Sequence, residues 1–587
     1  PLFIYLLAAS VALFGRTVAA VRAPALLLGT LTVPAAAFMG SGLFHRRVGL
    51  LTAEVTAVTM WPVLLSRVGF RAVALPLFTA LAVGLLWRGL RRGRLADYAL
   101  GGLCYGAAFY TYLAARFTPV PLLLLGLLLL WPGARLPRAR VRGLAIFAAL
   151  AAATLVPLSV TVLQSPEILA GRAGQVSIWS EAISHGDPVG ALVRHTWLAL
   201  LSFFWRGDRI PRHNLPWRPI FDPALGLAFV GGLVVAARRR GAGWFVLIWV
   251  GAMLLPTILA EDAPHYLRAV GLLPVLFLLP ALGLDAAWHW LAARRAPAAG
   301  AVVAGLALLV ALVSTADAYF HRYASLETVY YHFEAGSAEL AWRVNSFLRQ
   351  SGPQPRRAYI SRRLWQDWPS LRFLVADGER VEVIDPSHPP APAPAAAALV
   401  AVWPFEDYGP SLGLLPVGLQ LQAGSDLLER GDRDPEAREL ALLLTGEPSA
   451  PPAKPLARYA QGIELLEAAA EPAEPSNLRV RLVWVATERL PVDYTVFVQV
   501  LRGGEMLGQG DGPPAGGRLP TTVWRPGDRV VDVHDVALKV PYDPASDTVV
   551  VGLYDLATMA RLNVLMTSLP AGGDAVYVPQ PVAAPDP

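Results

Sequence analysis

The densest group of chemically useful side chains lies in one segment, WRGDRIPRHNLPWRPIFDP, at residues 205–223. It combines guanidinium groups, indole rings and carboxylates. Indole offers a large apolar face for a sugar, and guanidinium stabilises a developing anionic charge. The segment predicts a loop that holds a sugar and its acceptor, although a plain amphipathic loop at a membrane surface has the same composition. The candidate residues are Trp205, Arg206, Arg209, Arg212, His213 and Trp217, with Asp208 and Asp222 beside them.

A second candidate is the short connection SRVGFRAV, in which Arg67 and Arg71 are four residues apart. If the connection continues into a helix, this spacing puts both guanidinium groups on one face. Paired guanidinium groups bind a phosphate through bidentate hydrogen bonds. The pair therefore predicts a phosphate contact, and pairing with lipid headgroups is the alternative.

A third candidate is EDAPHYLRAVG at 261–271, at the mouth of an apolar block. His265, Tyr266 and Arg268 each carry a group that can donate a hydrogen bond to one phosphate. Glu261 and Asp262 precede them. On its own the pattern also fits ordinary surface residues.

Long apolar blocks must position these segments. The chain is 55% hydrophobic and 16% charged, whereas a soluble protein carries about 25% charged residues. Such a balance does not fit one soluble core and predicts a multi-pass membrane protein. Cys104 is the single cysteine, which excludes a disulfide framework and a cysteine-based zinc site.

The apolar blocks are long enough for ten membrane-spanning helices, since a span needs roughly 20 apolar residues. Beyond about residue 320 the chain has the composition of a soluble protein. The predicted spans are 23–41, 48–65, 71–88, 97–116, 118–133, 143–163, 223–238, 242–260, 268–291 and 299–317.

Arginines in the short connections predict the orientation, because Lys and Arg favour the cytoplasmic side. The arginine-rich set includes Arg46 and Arg47, Arg91 and Arg92, and 238–240. We therefore expect these connections to be cytoplasmic, and the three candidate segments and everything after Phe320 to face outward. This clustering is typical of membrane topology and excludes nucleic acid as a partner.

The outward part is predicted to have two domains. Residues 321–447 mix a helical stretch with short strands and favour a small α/β domain. Residues 456–587 contain alternating apolar strands and favour a β-sandwich. Its aromatic residues are either core or a stacking surface for carbohydrate. They are Trp484, Tyr494, Trp524 and Tyr554.

Several segments together resemble bacterial GT-C membrane glycosyltransferases, the relatives of protein O-mannosyltransferases and of the lipid A aminoarabinose transferase. The resemblance covers roughly residues 1–320. It is carried by PLFIYL, VRAPALLLGTLTVP (21–34), WPVLLSRVGFRA (61–72), YTYLAARFTP (110–119), RHNLPWRP (212–219) and APHYLRAVGLLP (263–274).

The resemblance implies a polyprenyl-phosphate sugar as donor, a glycan, lipid or protein hydroxyl as acceptor, and inversion at the sugar carbon. It implies that Arg22 and Tyr266 contact the donor phosphate, to which the residue chemistry adds Arg67, Arg71, His265 and Arg268. It also implies the bacterial cytoplasmic membrane as location, with membrane lipids as partners.

The catalytic base departs from the family pattern. In the family it is an Asp in the first outer loop, ahead of the segment that PLFIYL resembles, and no acidic residue precedes Glu54 here. We expect the base to lie upstream of Pro1 and this chain to be inactive or severely impaired. The fallback candidates are Asp208, Asp222, Glu261 and Asp262.

Two other functions remain open from the sequence. One is a transporter or flippase of lipid-linked sugars, and the other is an envelope scaffold that binds glycans without catalysis. Walker, Rossmann, HExxH and CxxC patterns are absent from the sequence, so nucleotide hydrolysis and metalloprotease chemistry lack support. No cofactor is evident and no metal ligands are assigned, and the use of a divalent metal stays open.

Overall fold

The computed structural model describes residues 2–130, 137–165, 177–294, 297–350, 355–376, 378–431, 434–449, 454–473 and 476–578. Several parts of the sequence predictions lie outside these residues, namely 131–133 of the fifth span, 351–354, 377 and 432–433 of the α/β domain, and 474–475 and 579–587 of the sandwich. Contacts divide the chain into two compact units, Pro1–Phe333 and Glu334–Pro587. The first boundary therefore lies 13 residues beyond the predicted residue 320, and the second unit contains both predicted outer domains.

The regular secondary structure of the first unit's described residues is helical, apart from an isolated bridge between Ser177 and Ala260. Side-chain caps fix some helix starts: Thr17 accepts a hydrogen bond from the amide of Ala20, and Asp222 accepts from Ala224 and Leu225. The helices are α1 (Leu2–Phe14), α2 (Val18–Leu43), α3 (Arg46–Val58), α4 (Met60–Arg67), α5 (Ala74–Arg92), α6 (Leu95–Ala108), α7 (Pro119–Leu130), α8 (Arg138–Gln164), α9 (Glu181–Ser184), α10 (Pro188–Leu201), α11 (Pro223–Arg238), α12 (Ala242–Ile258), α13 (Leu278–Ala293), α14 (Pro297–Ala316) and α15 (Glu327–His332).

A helical, membrane-like first region is confirmed, but ten spans are not. Each predicted span overlaps a helix or helical turn, yet five helical segments of the described residues are long and apolar enough to cross a membrane. A sixth is counted if α3 and α4, which meet at a 60° bend, form one span. The five are Val18–Leu43, Arg71–Arg92, Arg138–Gln164, Val275–Ala293 and Ala298–Tyr323.

Close backbone contact holds α11 against α13. A Cβ atom on Gly232 would lie 1.7 Å from the carbonyl oxygen of Leu279, and one on Gly283 would lie 1.8 Å from that of Ala228. Only glycine fits at such a distance. Helix α13 is therefore fixed in place, and its first half is buried from Leu278 to Asp285.

The helices have two distinguishable ends. Residues 205–223 and 261–271 lie near the C-terminal end of α4, because Phe70 contacts His213 with ring centroids 5.9 Å apart. We call this the loop end. The arginine-rich end is the opposite one, where α3 begins at Arg46.

The second unit is built mainly of strands, as predicted for the C-terminal part. Its helices are α16 (Ala335–Arg349), α17 (Arg362–Asp367) and α18 (Pro369–Leu374). Its strands are β1 (Arg356–Ser361), β2 (Val381–Ile384), β3 (Ala397–Val402), β4 (Gln420–Glu429), β5 (Arg438–Glu447), β6 (Ala457–Tyr459), β7 (Ile463–Ala473), β8 (Asn477–Ala486), β9 (Tyr494–Arg502), β10 (Glu505–Gln509), β11 (Arg529–Ala537), β12 (Asp547–Asp555), β13 (Val564–Thr567), β14 (Ala571–Gly572) and β15 (Ala575–Val578).

Ten of these strands form one sheet that runs through both predicted outer domains. Its order is β13-β6-β7-β8-β11-β4-β5-β3-β1-β2, and β10-β9-β12-β15-β14 form a second sheet. The parallel pair β4–β11 joins the two predicted domains, with Gln420 opposite Arg529 and Leu421 opposite Val530. The boundary predicted at 448–455 lies between β5 and β6, which both belong to this sheet, and its residues 450–453 are outside the described residues.

The aromatic residues proposed as a carbohydrate-stacking surface are mostly core. Trp484 and Trp524 have no exposed surface, and Tyr494 is 5% exposed. The indole N–H of Trp484 donates to Asp532 at 3.1 Å, and that of Trp524 donates to the carbonyl of Leu519 at 2.9 Å. Tyr554 is partly buried. A stacking role is therefore wrong for Trp484, Trp524 and Tyr494, because a sugar cannot reach their faces.

Candidate functional site

Asp208 connects the two candidate loops at the loop end. Its side chain is fully buried. Oδ1 accepts from the amide of Ile210 at 2.8 Å, and Oδ2 accepts from the amide of Tyr266 at 2.7 Å. Nδ1 of His213 lies 3.2 Å from Oδ2. One carboxylate thus fixes 205–223 against 261–271.

Two imidazoles stack beside this carboxylate. The rings of His213 and His265 have centroids 4.5 Å apart. Burial, with the nearby charges of His213 and Arg268, lowers the pKa of His265 to about 2. His265 is therefore neutral at physiological pH and provides hydrogen bonds rather than positive charge. We call Asp208, His213 and His265 the loop cluster.

Tyr266 supports the backbone of the long loop. The residue is 1% exposed, and its ring lies 4.9 Å from that of Trp61. Its hydroxyl is within donating distance of the carbonyls of Ser202 at 3.3 Å and Arg218 at 3.2 Å. Burial raises its pKa well above the usual value. In this structure the hydroxyl is directed to backbone oxygens and is not presented to a phosphate, which differs from the predicted role.

The other carboxylates of the two loops are engaged. Asp262 pairs with Arg209 at 2.7 Å, and Glu261 pairs with Arg268 at 2.8 Å. Asp222 caps helix α11. Because Asp208 is saturated by donors as well, each fallback carboxylate has a structural partner in place. Arg268 and Arg209 likewise carry a carboxylate partner, which reduces their attraction for a phosphate.

Arg22, Arg67 and Arg71 present exposed guanidinium groups at the loop end. Arg67 ends α4 and Arg71 begins a separate 3-10 turn, so the continuous helix expected to align them is not formed. Extended backbone at Val68 and Phe70 separates the two elements.

Two tyrosines that the sequence analysis did not select organise these arginines. Nε of Arg67 donates to the hydroxyl of Tyr319 at 3.2 Å. Tyr319 stacks on Tyr323 with centroids 6.0 Å apart, and Tyr323 donates to the carbonyl of Pro211 at 2.6 Å. The charge of Arg22 acts on Tyr323. Arg67 and the long loop therefore meet at this tyrosine pair, and Arg22 is near enough for its charge to act on Tyr323.

The long loop also exposes the aromatic surface that was predicted for a sugar. Trp205 is 78% exposed and Trp217 is 44% exposed. The guanidinium carbon of Arg206 lies 3.8 Å from the centre of the Trp217 ring. Arg212 and His213 are partly buried. The two indoles are accessible, whereas His213 belongs to the loop cluster.

The loop cluster also has the composition of a metal site, which the sequence did not predict. One ligand atom from each of its three residues lies within 4.8 Å of the others. The Asp208 oxygens already receive two backbone N–H bonds, so a cation would have to compete with them. A cavity of about 450 Å³ lies in the second unit, lined by Asn345, Leu348, Arg349, Ala376, Gly378, Glu379 and Arg380, and contains no predicted site residue.

Comparison with known proteins identifies the first helices. Residues 1–160 match the family model of the dolichyl-phosphate-mannose-protein mannosyltransferases. The match covers 160 of the 587 residues. The resemblance inferred from the sequence is thereby confirmed, and the family region contains Arg22, Arg67 and Arg71. No curated protein matches the chain.

Solved structures of membrane glycosyltransferases are similar to the chain at low identity. ArnT from Cupriavidus metallidurans in the apo state is 14% identical, with 76% of this chain and 88% of that chain covered and a TM-score of 0.42. The same protein bound to undecaprenyl phosphate gives 14% identity, coverage of 77% and 89%, and a TM-score of 0.42. The apo oligosaccharyltransferase of Archaeoglobus fulgidus is 14% identical, with 67% of this chain covered and a TM-score of 0.38. The chain spans 57% of the length of that oligosaccharyltransferase.

Proposed function

We propose that the chain provides the donor and acceptor sites of a glycosyltransferase, which moves a sugar from a polyprenyl-phosphate donor to an acceptor hydroxyl at the outer face of a bacterial cytoplasmic membrane, with inversion at the sugar carbon. The family match over residues 1–160 carries this proposal. It is supported by the exposed Arg22, Arg67 and Arg71, which this region places at the loop end.

The chemistry of such a transfer requires cations at the leaving group. As the bond between the sugar and the phosphate breaks, negative charge increases on the phosphate, and preoriented donors stabilise that charge most in the transition state. Arg67 is preoriented by its hydrogen bond to Tyr319. We assign Arg67 and Arg22 to the donor phosphate, with Arg71 as a third candidate.

The long loop supplies the surface for the sugar and acceptor. Trp205 and Trp217 expose indole faces, and Arg206 lies over Trp217. Asp208 and Tyr266 act as positioning residues for this surface, because their polar atoms bind the backbone of both loops. Within the described residues of these loops, the carboxylates have structural partners, and the proposal assigns none of them as the base.

Binding of the donor lipid can be tested without turnover. The chain in lipid nanodiscs is titrated with undecaprenyl phosphate, and the bound fraction is measured by native mass spectrometry. A charged hydrogen bond contributes about 1.5–3 kcal/mol, so Arg67→Ala should weaken binding at least about tenfold. Arg92→Ala is the matched control, since Arg92 is an exposed arginine at the arginine-rich end. Equal weakening in both variants, or none in either, would contradict the assignment.

A second measurement separates the three candidate functions. A radiolabelled polyprenyl-phosphate sugar is added to the full-length protein in sealed vesicles. A transferase releases polyprenyl phosphate and labels an acceptor, a flippase moves the intact donor across the bilayer, and a glycan scaffold does neither. Movement without release, or neither result, would overturn the proposed transfer.

A further inference from the structure

A second set of one carboxylate and two imidazoles lies at the arginine-rich end of the helical unit. His45 stands between α2 and α3, while Asp285 and His289 are on α13. The Nε2 atoms of His45 and His289 lie 3.2 Å and 3.7 Å from Oδ2 of Asp285. We call these three residues the helix cluster. None of them belongs to the proposed transfer site.

Asp285, the carboxylate of this cluster, is buried with an incomplete set of hydrogen bonds. Its side chain is 1% exposed, and its Oδ1 accepts no hydrogen bond from the described residues. The nearest cation on that side is Arg47, with Nη1 3.6 Å from Oδ1. A buried carboxylate is costly unless it is paired and hydrogen-bonded. The fold therefore maintains a carboxylate that a further cation would stabilise.

The geometry suits a small divalent metal. Asp285 and His289 are four residues apart on one helix, so they share a face. Zinc binds imidazole nitrogen and carboxylate oxygen at about 2.0–2.2 Å, which places tetrahedral ligand atoms roughly 3.3 Å apart. The three ligand atoms of the helix cluster lie within 4.8 Å of one another. A modest rotation of the exposed His289 ring would bring them to the required spacing.

Access and charge are also compatible with a metal. The side chains of His45 and His289 are 42% and 60% exposed, so an ion can reach them without displacing packed protein atoms. Arg47 lies on the Oδ1 side and rests over the ring of Trp288, 4.6 Å from its centre. Both imidazoles face Oδ2, so the ion would bind on that side of the carboxylate.

We propose that His45, Asp285 and His289 bind a divalent transition metal of the zinc class. His45 Nε2, Asp285 Oδ2 and His289 Nε2 are the protein ligands, and water completes the coordination. Imidazole favours zinc and its neighbours in the first transition series over magnesium and calcium. The bound ion links the α2–α3 junction to α13, which Gly232 and Gly283 already hold against α11.

Metal binding is measured on the whole chain, purified without a histidine tag and depleted with EDTA. Zn²⁺ content is determined by mass spectrometry, Co²⁺ is titrated by its visible absorption, and Tm is recorded with and without Zn²⁺. His289→Asn is the main variant, because His289 is exposed and its replacement leaves the fold intact; His45→Asn is the second. We expect each to weaken Zn²⁺ binding at least tenfold and to remove the Zn²⁺-dependent rise in Tm.

Two matched controls make the result decisive. His321→Asn removes a histidine with the same spacing from an aspartate, four residues from Asp317 and 3.2 Å away, but outside any three-residue metal group of the described residues. His213→Asn removes the loop cluster as the alternative location. Both should leave the tightest Zn²⁺ binding unchanged. Wild-type binding that survives in His45→Asn and His289→Asn, binding lost in His213→Asn instead, or no binding at all would overturn the proposal.

Discussion

Each end of the helical unit carries one carboxylate and two imidazoles, but the carboxylate is bound differently at the two ends. In the loop cluster, backbone amides of Ile210 and Tyr266 bind the carboxylate of Asp208. In the helix cluster, Asp285 faces side chains alone, and one oxygen accepts no hydrogen bond from the described residues. The surroundings of the carboxylate, rather than the residue types, therefore separate a structural centre from a candidate ligand site.

The histidines follow the same contrast. His265 is buried and held between Thr257 and Arg268, with its amide bonded to Thr257 at 2.7 Å. His45 is partly exposed and His289 is exposed. Buried imidazoles fix two loops to each other, whereas exposed imidazoles beside a buried carboxylate remain available to an ion.

Replacing each carboxylate by its amide should give the largest difference between the clusters. Asp208→Asn replaces one carboxylate oxygen, which accepts from a buried backbone amide, by an NH2 group that can only donate. We therefore expect a loss of about 3 kcal/mol in the free energy of unfolding. In EDTA, Asp285→Asn should lower the free energy of unfolding by less than about 1 kcal/mol, because the side chains that face Asp285 can form hydrogen bonds with water instead. Unfolding in detergent measures both.

An exposed carboxylate with a side-chain partner serves as the control for this comparison. Asp262 is 37% exposed and pairs with Arg209, so Asp262→Asn should change the free energy of unfolding by no more than about 1 kcal/mol. Hydrogen exchange at the amide of Tyr266 should accelerate in Asp208→Asn alone. Similar losses for Asp208→Asn and Asp285→Asn would show that the two carboxylates are held alike.

The next effect is a pH dependence that arises in the loop cluster. The pKa of His265 is about 2 in the folded chain, against about 6.5 when unfolded. Below pH 6.5 the unfolded chain therefore gains a proton that the folded chain does not, and stability falls by about 1.4 kcal/mol per pH unit. Stability is full above pH 6.5.

Histidine variants assign this slope. His265→Asn should flatten the fall in Tm between pH 6.5 and 5. Wild type and His265→Asn with equal slopes would mean that His265 is protonated in the folded chain.

The smallest expected effect concerns Tyr266. Tyr266→Phe removes a buried hydroxyl that binds backbone carbonyls, and we expect a loss of about 1 kcal/mol in stability. Affinity for undecaprenyl phosphate should change less than twofold. A tenfold loss of affinity at unchanged Tm would instead restore the phosphate contact predicted from the sequence.

Composition and periodicity were sufficient for the broad architecture. The long apolar blocks gave the helical first region, and the alternating apolar segments gave the strands. Helices α11 and α12 are apolar but shorter than the length required of a span, so the number of apolar blocks exceeds the number of long apolar helices. The spacing of polar residues sets how long an apolar block can be. The helix inside that block can be shorter, because caps such as Asp222 fix where it begins.

Side-chain partners across the fold could not be predicted from one sequence. Asp208 and Tyr266 are 58 residues apart, and His45 and Asp285 are 240 residues apart. The carboxylates near the candidate arginines were visible, but whether a carboxylate binds a backbone amide, an arginine or a helix start depends on tertiary contacts. Tyr319 was missed for the same reason.

The parallel pairing of β4 with β11 has a practical consequence for dissecting the protein. A cut between β5 and β6 would make β4 and β11 edge strands, each without a partner on one side, and such edges recruit other chains. Fragments designed at that connection should aggregate when expressed alone, and a soluble piece for crystallisation or antibody production should keep both strands in one polypeptide.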